Sequence, residues 1–165
     1  MRAAALRRQR GFTLVEVMAV IVLAAIVGFG LIGFYLNSQA TWIDASSQAM
    51  AQRDGTLILE TITDLSRPWS EAVVEPVGGG NDRLIIRDAL LEKERFYWDS
   101  GDSLLHHSKD GAATGPAMVN SRVERFAASI DSTGRLVSID SLRVVSTTGR
   151  QVRLATAFVL YNRAP

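Results

Sequence analysis

From Val17 to Ile43 the chain carries no charged residue, and its most apolar part, Val17 to Leu36, runs for twenty residues. Twenty helical residues at 1.5 Å each span roughly 30 Å, the thickness of a bilayer's hydrocarbon core. The pattern then changes. From Asn37 to Ser66 polar positions dominate, yet Ile43, Met50 and Leu57 recur at sevens, and Ile58, Ile62 and Leu65 follow at spacings of four and three. This predicts one apolar face on a continuing helix, loosened where Asp54 and Gly55 interrupt it. Arg67-Pro68 closes the helix, because a residue before proline avoids helical dihedrals. A helix from Phe12 to about Ser66 would be about 80 Å long.

Beyond Pro68 the pattern is short extended runs separated by turn signals. Glu71 to Val77, Arg83 to Arg87 and Arg95 to Asp99 read as strands, with a glycine turn at Gly78-Gly79-Gly80-Asn81. Ser100-Gly101-Asp102 turns into a strand from Ser103 to His107, and residues 109–116 form a loop. Val123 to Ile130, Leu136 to Val145 and Gln151 to Leu160 close the chain as a meander. The expected class is α+β: a long N-terminal helix on an antiparallel sheet.

Charge gives the apolar block a direction. The first eleven residues hold four arginines (Arg2, Arg7, Arg8 and Arg10) and no acid, and no cation follows until Arg53. The positive-inside rule places the N-terminus in the cytoplasm and the β-rich part across the membrane. Of 18 basic residues, 14 remain once these four are set aside, against 17 acidic, a net charge of −3. That balance argues against broad nucleic-acid binding, which leaves a basic footprint.

The junction of the basic and apolar segments separates three readings: a secretory signal, a plain anchor, and a processed precursor. A secretory signal ends in a small-residue cleavage site beyond a short apolar stretch. Here Ala24-Ala25, Gly28 and Gly30 lie inside the stretch. A plain anchor gains nothing from Glu16, a carboxylate costly to place in lipid. Were the chain cut after Gly11, Phe12 would carry a new ammonium and Glu16 would stand fifth, one helical turn along. The two charges would offset each other within one chain or between neighbours.

The run Gly11-Phe12-Thr13-Leu14-Val15-Glu16, after a short basic leader and before an uninterrupted apolar helix, resembles the class III signal of type IV pilins and type II secretion pseudopilins. The resemblance covers about the first 40 residues. It implies cleavage of the Gly11–Phe12 bond by a prepilin peptidase and N-methylation of Phe12 by the same enzyme. The S-adenosylmethionine used belongs to that enzyme, and this chain is expected to hold no cofactor. The resemblance also implies that Glu16 neutralises a neighbour's N-terminal amine during assembly. The partners implied are the peptidase, other pilins or pseudopilins met through the helix, and an inner-membrane assembly platform. The chain divides accordingly into a leader (1–11), a transmembrane assembly half of the helix (12–36), an amphipathic half (37–67) and a periplasmic head (68–165).

One departure from the family pattern stands at Gly33, where many members carry proline. Gly28, Gly30 and Gly33 each lower helix stability by up to about 1 kcal/mol relative to alanine. They define an expected flexible zone; close packing of helices on small residues is the other reading. The head and the absence of cysteine resemble minor pilins or minor pseudopilins.

Other chemistry finds little support. The chain has no cysteine, so disulfides and thiolate ligands are excluded. No G-x-S-x-G elbow, Walker A or Rossmann glycine pattern occurs, so an enzyme is not expected. His106 and His107 read as solvated surface, since strand neighbours face opposite ways. Asp99, Asp102, Asn81 and Asp82 offer oxygens to a cation but match no calcium loop, and no metal is expected. Arg135, Arg143, Arg150 and Arg153 read as a solvated basic face, the DNA-uptake alternative resting on them alone. Trp42 stands where membrane-interface tryptophans collect, and Trp69 and Trp98 read as core or interface.

Overall fold

The computed structural model describes residues 12–88 and 91–161. Its one helix, α1, runs unbroken from Leu14 to Ser66. Seven strands follow: β1 (Glu71–Gly78), β2 (Asn81–Asp88), β3 (Leu91–Asp99), β4 (Leu104–Lys109), β5 (Arg122–Ile130), β6 (Leu136–Val145) and β7 (Gln151–Val159). The architecture is α+β and pilin-like, a long N-terminal helix followed by antiparallel sheets.

The chain separates into two compact units, Met1–Ile43 and Asp44–Pro165. In the first, the large apolar side chains of the helix are exposed, from Leu14 (79%) through Ile26 (63%) to Leu36 (61%). This segment of α1 is long and apolar enough to cross a membrane.

The second unit holds the core. Its strands form two sheets, β1-β2-β3-β4 and β5-β6-β7, rather than the single sheet expected. The break falls at β5, whose edge is taken by side chains instead of a strand. Phe126 N–H donates to Asn81 Oδ1 at 2.7 Å and Ala128 N–H donates to Asp82 Oδ2 at 2.9 Å, both acceptors on β2. Asn81 Oδ1 and Asp82 Oδ2 are therefore engaged by the backbone of β5. They satisfy backbone donors that would otherwise be buried without partners.

Hairpin turns follow the glycine signals. Gly78 pairs with Asn81 across Gly79-Gly80, both at positive φ (63° and 80°), as a two-residue type I′ turn requires. At the β4 edge, His107 N–H donates to Pro116 O and Met118 N–H to Leu105 O, so residues 116–118 cover that strand.

The helical half of this core corrects the predicted face. Ile58 and Ile62 are fully buried, but Met50 and Leu57 are exposed. The contact face is Ser47, Ala51, Gly55, Ile58, Leu59, Ile62 and Ser66. Its upper part is made of small residues, which a search for large apolar positions passes over. Gly55 is central to it: a Cβ there would overlap Leu154 Cδ1 of β7 and lie 3.3 Å from Val144 Cγ2 of β6. Phe96, Phe126, Leu105, Ile139 and Leu142 complete the core from both sheets.

Candidate processing and assembly site

The start of α1 is built by its own sequence. Thr13 precedes the first helical residue, and Glu16 N–H donates to Thr13 Oγ1 at 3.3 Å. Val17 N–H donates to Thr13 O at 3.2 Å, the first bond of the helical ladder. Thr13 is thus the N-cap, and Thr-x-x-Glu has the spacing of a capping box, of which the structure forms the threonine half. The local signal for this role of Thr13 is the Thr-x-x-Glu spacing at the start of an apolar run. An acid at the third helical position also sits in the favourable field of the helix N-terminus.

Phe12 lies just outside the helix and is 78% exposed. Gly11, on the other side of the expected scissile bond, lies outside the described residues. Phe12 and Glu16 are thereby placed at one end of a charge-free helical surface. Gly28, Gly30 and Gly33 lie within the continuous helix, and a Cβ at any of them would meet nothing within 4 Å.

At the other end of the apolar stretch, Tyr35, Ser38, Gln39, Trp42 and Ile43 line a shallow groove. Gln39 Nε2 donates to Tyr35 Oη at 2.7 Å, and Trp42 is 75% exposed. Trp69 and Trp98 pack against the core, with Trp98 Nε1–H donating to Val123 O at 2.7 Å.

The histidines are not solvated surface. His107 stacks on the buried Phe96 and its Nε2 lies 2.5 Å from Glu94 Oε2. His106 points the other way, stacking on Tyr97. Its Nε2 meets Asp102 Oδ2 at 2.8 Å and its Nδ1 meets Gly115 O at 2.9 Å. Burial opposes the charge of His106, but the carbonyl and carboxylate outweigh it and raise its pKa above the usual value. The Leu104 amide and His106 in turn hold Asp102 below the usual carboxylate range. Donor atoms of Asp99, Asp102 and His106 lie within 4.8 Å of one another. Asp99 Oδ1 accepts from Gly101 N–H and Asp102 Oδ1 from Leu104 N–H, so the trio staples the β3–β4 turn. Sequence reasoning missed this because the acids lie four and seven positions before His106.

Among the basic residues singled out, Arg150 pairs with Asp44 at 2.6 Å, and Thr148 Oγ1 donates to the same carboxylate at 2.9 Å. The β6–β7 loop thereby holds the helix at the first residue of the second unit. Arg143 and Arg153 are cross-strand partners, and Arg135 lies in the β5–β6 turn.

A pilin-like α+β chain whose long first helix is capped by Thr13 and carries no charge from Val17 to Ile43 is the class that these features define. Residues 6–32 match the family model for the prokaryotic N-terminal methylation motif, the class III prepilin signal. The motif marks a prepilin-like substrate of prepilin peptidase, consistent with a type IV pilin-like protein. No curated protein and no solved structure matches the chain.

Proposed function

We propose that this chain is a structural subunit of a type IV pilus or of a type II secretion-type pseudopilus. Prepilin peptidase removes the leader (1–11) at Gly11–Phe12 and methylates the new Phe12 amine. Residues 12–36 then hold the subunit in the inner membrane, with the N-terminus cytoplasmic. The head from residue 68 is periplasmic, carried on the amphipathic half of the helix. In the filament, Glu16 neutralises the N-terminal amine of a neighbouring subunit and fixes its axial register, and the glycines at 28, 30 and 33 let the helix yield. The role is architectural and involves no catalysis by this chain.

The observation that carries this reading is the methylation motif placed on an exposed apolar stretch of helix with one carboxylate, Glu16, in its first turn and no other charge as far as Ile43. A buried charge is retained in lipid when a countercharge meets it. Cleavage after Gly11 would create that countercharge one turn away.

The test is Glu16→Ala in cells with an active peptidase. Processing at Gly11–Phe12 is expected to continue, while incorporation into sheared or sedimented filaments falls sharply. Normal incorporation of Glu16→Ala would remove the assigned role. Retention of the leader on the unaltered chain would favour an anchored periplasmic binding module instead.

A further inference from the structure

The dipeptide Asp-Gly occurs twice in the chain, at Asp54-Gly55 and at Asp110-Gly111. It carries a chemistry of its own. Attack of the glycine nitrogen on the aspartate side-chain carbon closes a small imide ring, and glycine has no side chain to shield its nitrogen. Closure requires two freedoms. The aspartate must be able to leave helical dihedrals, and the glycine N–H must not be held in a hydrogen bond.

The two copies stand in opposite surroundings. Asp54 and Gly55 lie inside α1, where the backbone ladder holds the Gly55 N–H. Gly55 is buried beneath Leu154, and the Asp54 carboxylate accepts a hydrogen bond from Ser121 Oγ. Asp110 and Gly111 lie just past the end of β4, in an exposed turn that Ala112 N–H closes by donating to Lys109 O at 2.9 Å. The Asp110 side chain is 80% exposed, with Lys93 Nζ at 4.0 Å. Among the described residues the Gly111 N–H has no hydrogen-bond partner. A Cβ on Gly111 would meet nothing within 4 Å, so the space around its nitrogen is open. Both residues sit at positive φ, 49° and 74°, a region sparsely populated by residues that carry a Cβ. Departure from it is not opposed by the backbone preference of Asp110.

We propose that Asp110–Gly111 is a site of spontaneous isoaspartate formation in the folded chain, and that the fold protects Asp54–Gly55 from the same reaction. The Gly111 nitrogen attacks Asp110 Cγ. The N–Cγ bond forms, the Cγ–OH bond breaks, and the amide proton leaves with the hydroxyl as water. A water molecule then opens the succinimide. Cleavage of the new N–Cγ bond restores aspartate. Cleavage of the original peptide bond leaves the main chain running through Cβ and Cγ, with the α-carboxylate as the side group. Nothing is oxidised or reduced, and the water released is the water consumed. The product places an extra main-chain carbon between β4 and residues 116–118, which cover that strand.

The test ages the full-length chain in detergent, in water enriched in heavy oxygen, and maps its peptides by mass spectrometry. Each passage through the succinimide leaves a heavy oxygen in the residue, and fragmentation separates aspartate from isoaspartate. The expected result is label and isoaspartate at residue 110, accumulating at least about tenfold faster than at residue 54, where reaction waits on local opening of the helix. In denaturant the two rates should converge. Asp110→Glu, whose longer side chain disfavours the ring, should remove the label from that peptide. Absence of isoaspartate at residue 110 overturns the proposal, as do equal rates at the two sites in the folded chain. A rate difference that persists in denaturant would assign the selectivity to flanking sequence and not to the fold, and label retained by Asp110→Glu would place the reaction at another residue; either overturns it too.

Discussion

Gly55 of the helix and Leu154 of β7 occupy each other's space: the Leu154 methyl fills the volume that a Cβ on residue 55 would need. The blocking atom is the end of a flexible side chain, so a single methyl can be accommodated. Gly55→Ala gains up to about 1 kcal/mol of helix propensity, which offsets much of the repacking. Gly55→Leu cannot be accommodated that way and should destabilise the head by about 1–3 kcal/mol, the usual range for overpacking. Adding Leu154→Ala should recover part of the loss, as seen by chemical denaturation of the full chain in detergent. Strict additivity of the two substitutions would show that they do not meet.

The corrected helical face yields a second contrast. Ile58 is fully buried, whereas Met50 is 65% exposed. Ile58→Ala should cost about 2–5 kcal/mol, and Met50→Ala should stay within about 0.5 kcal/mol. The reverse order in the same denaturation assay would restore the sevenfold stripe of Ile43, Met50 and Leu57 as the packing face.

Asn81 is the joint between the two sheets. Asn81→Ala leaves the buried Phe126 N–H without its acceptor, a loss of about 1–3 kcal/mol. Faster hydrogen exchange at Phe126 and its neighbours on β5, before exchange at β2, is the expected signature. Unchanged exchange there would mean that the side chain is not what closes the β5 edge.

The His106–Asp102 contact predicts a pH window. His106 has a raised pKa, so its contribution is complete below the ordinary 6.5 and is lost as pH rises through the raised value. Asp102 has a lowered pKa, so its contribution is present above the ordinary 3.8 and is lost as pH falls through the lowered value. The staple is therefore strongest between about pH 4 and 6.5. Asp102→Asn should lower the His106 pKa seen by NMR titration of its imidazole. An unchanged titration would show that the pair does not form in solution.

The sequence was most legible where one periodicity ran long or one motif was dense. The charge-free run, the stop at Arg67-Pro68 and the glycine turn at 78–80 were read directly, because each rests on local chemistry. The α+β class followed from the change of period after Pro68. What escaped depended on distant partners. Gly55 looked like a flaw in the stripe, and only Leu154, 99 positions later, makes it a contact. The division into two sheets turns on Asn81 and Asp82 reaching β5, about 45 positions away. Thr13 is the exception: its capping spacing was local and was overlooked.

The central claim is that the chain is made as a precursor and cut beside Phe12. Intact mass and N-terminal analysis of the protein from native membranes tests it most directly. The account predicts a chain beginning at N-methylated Phe12. A chain beginning at Met1, in cells with an active prepilin peptidase, would contradict it and leave a plain signal anchor in its place.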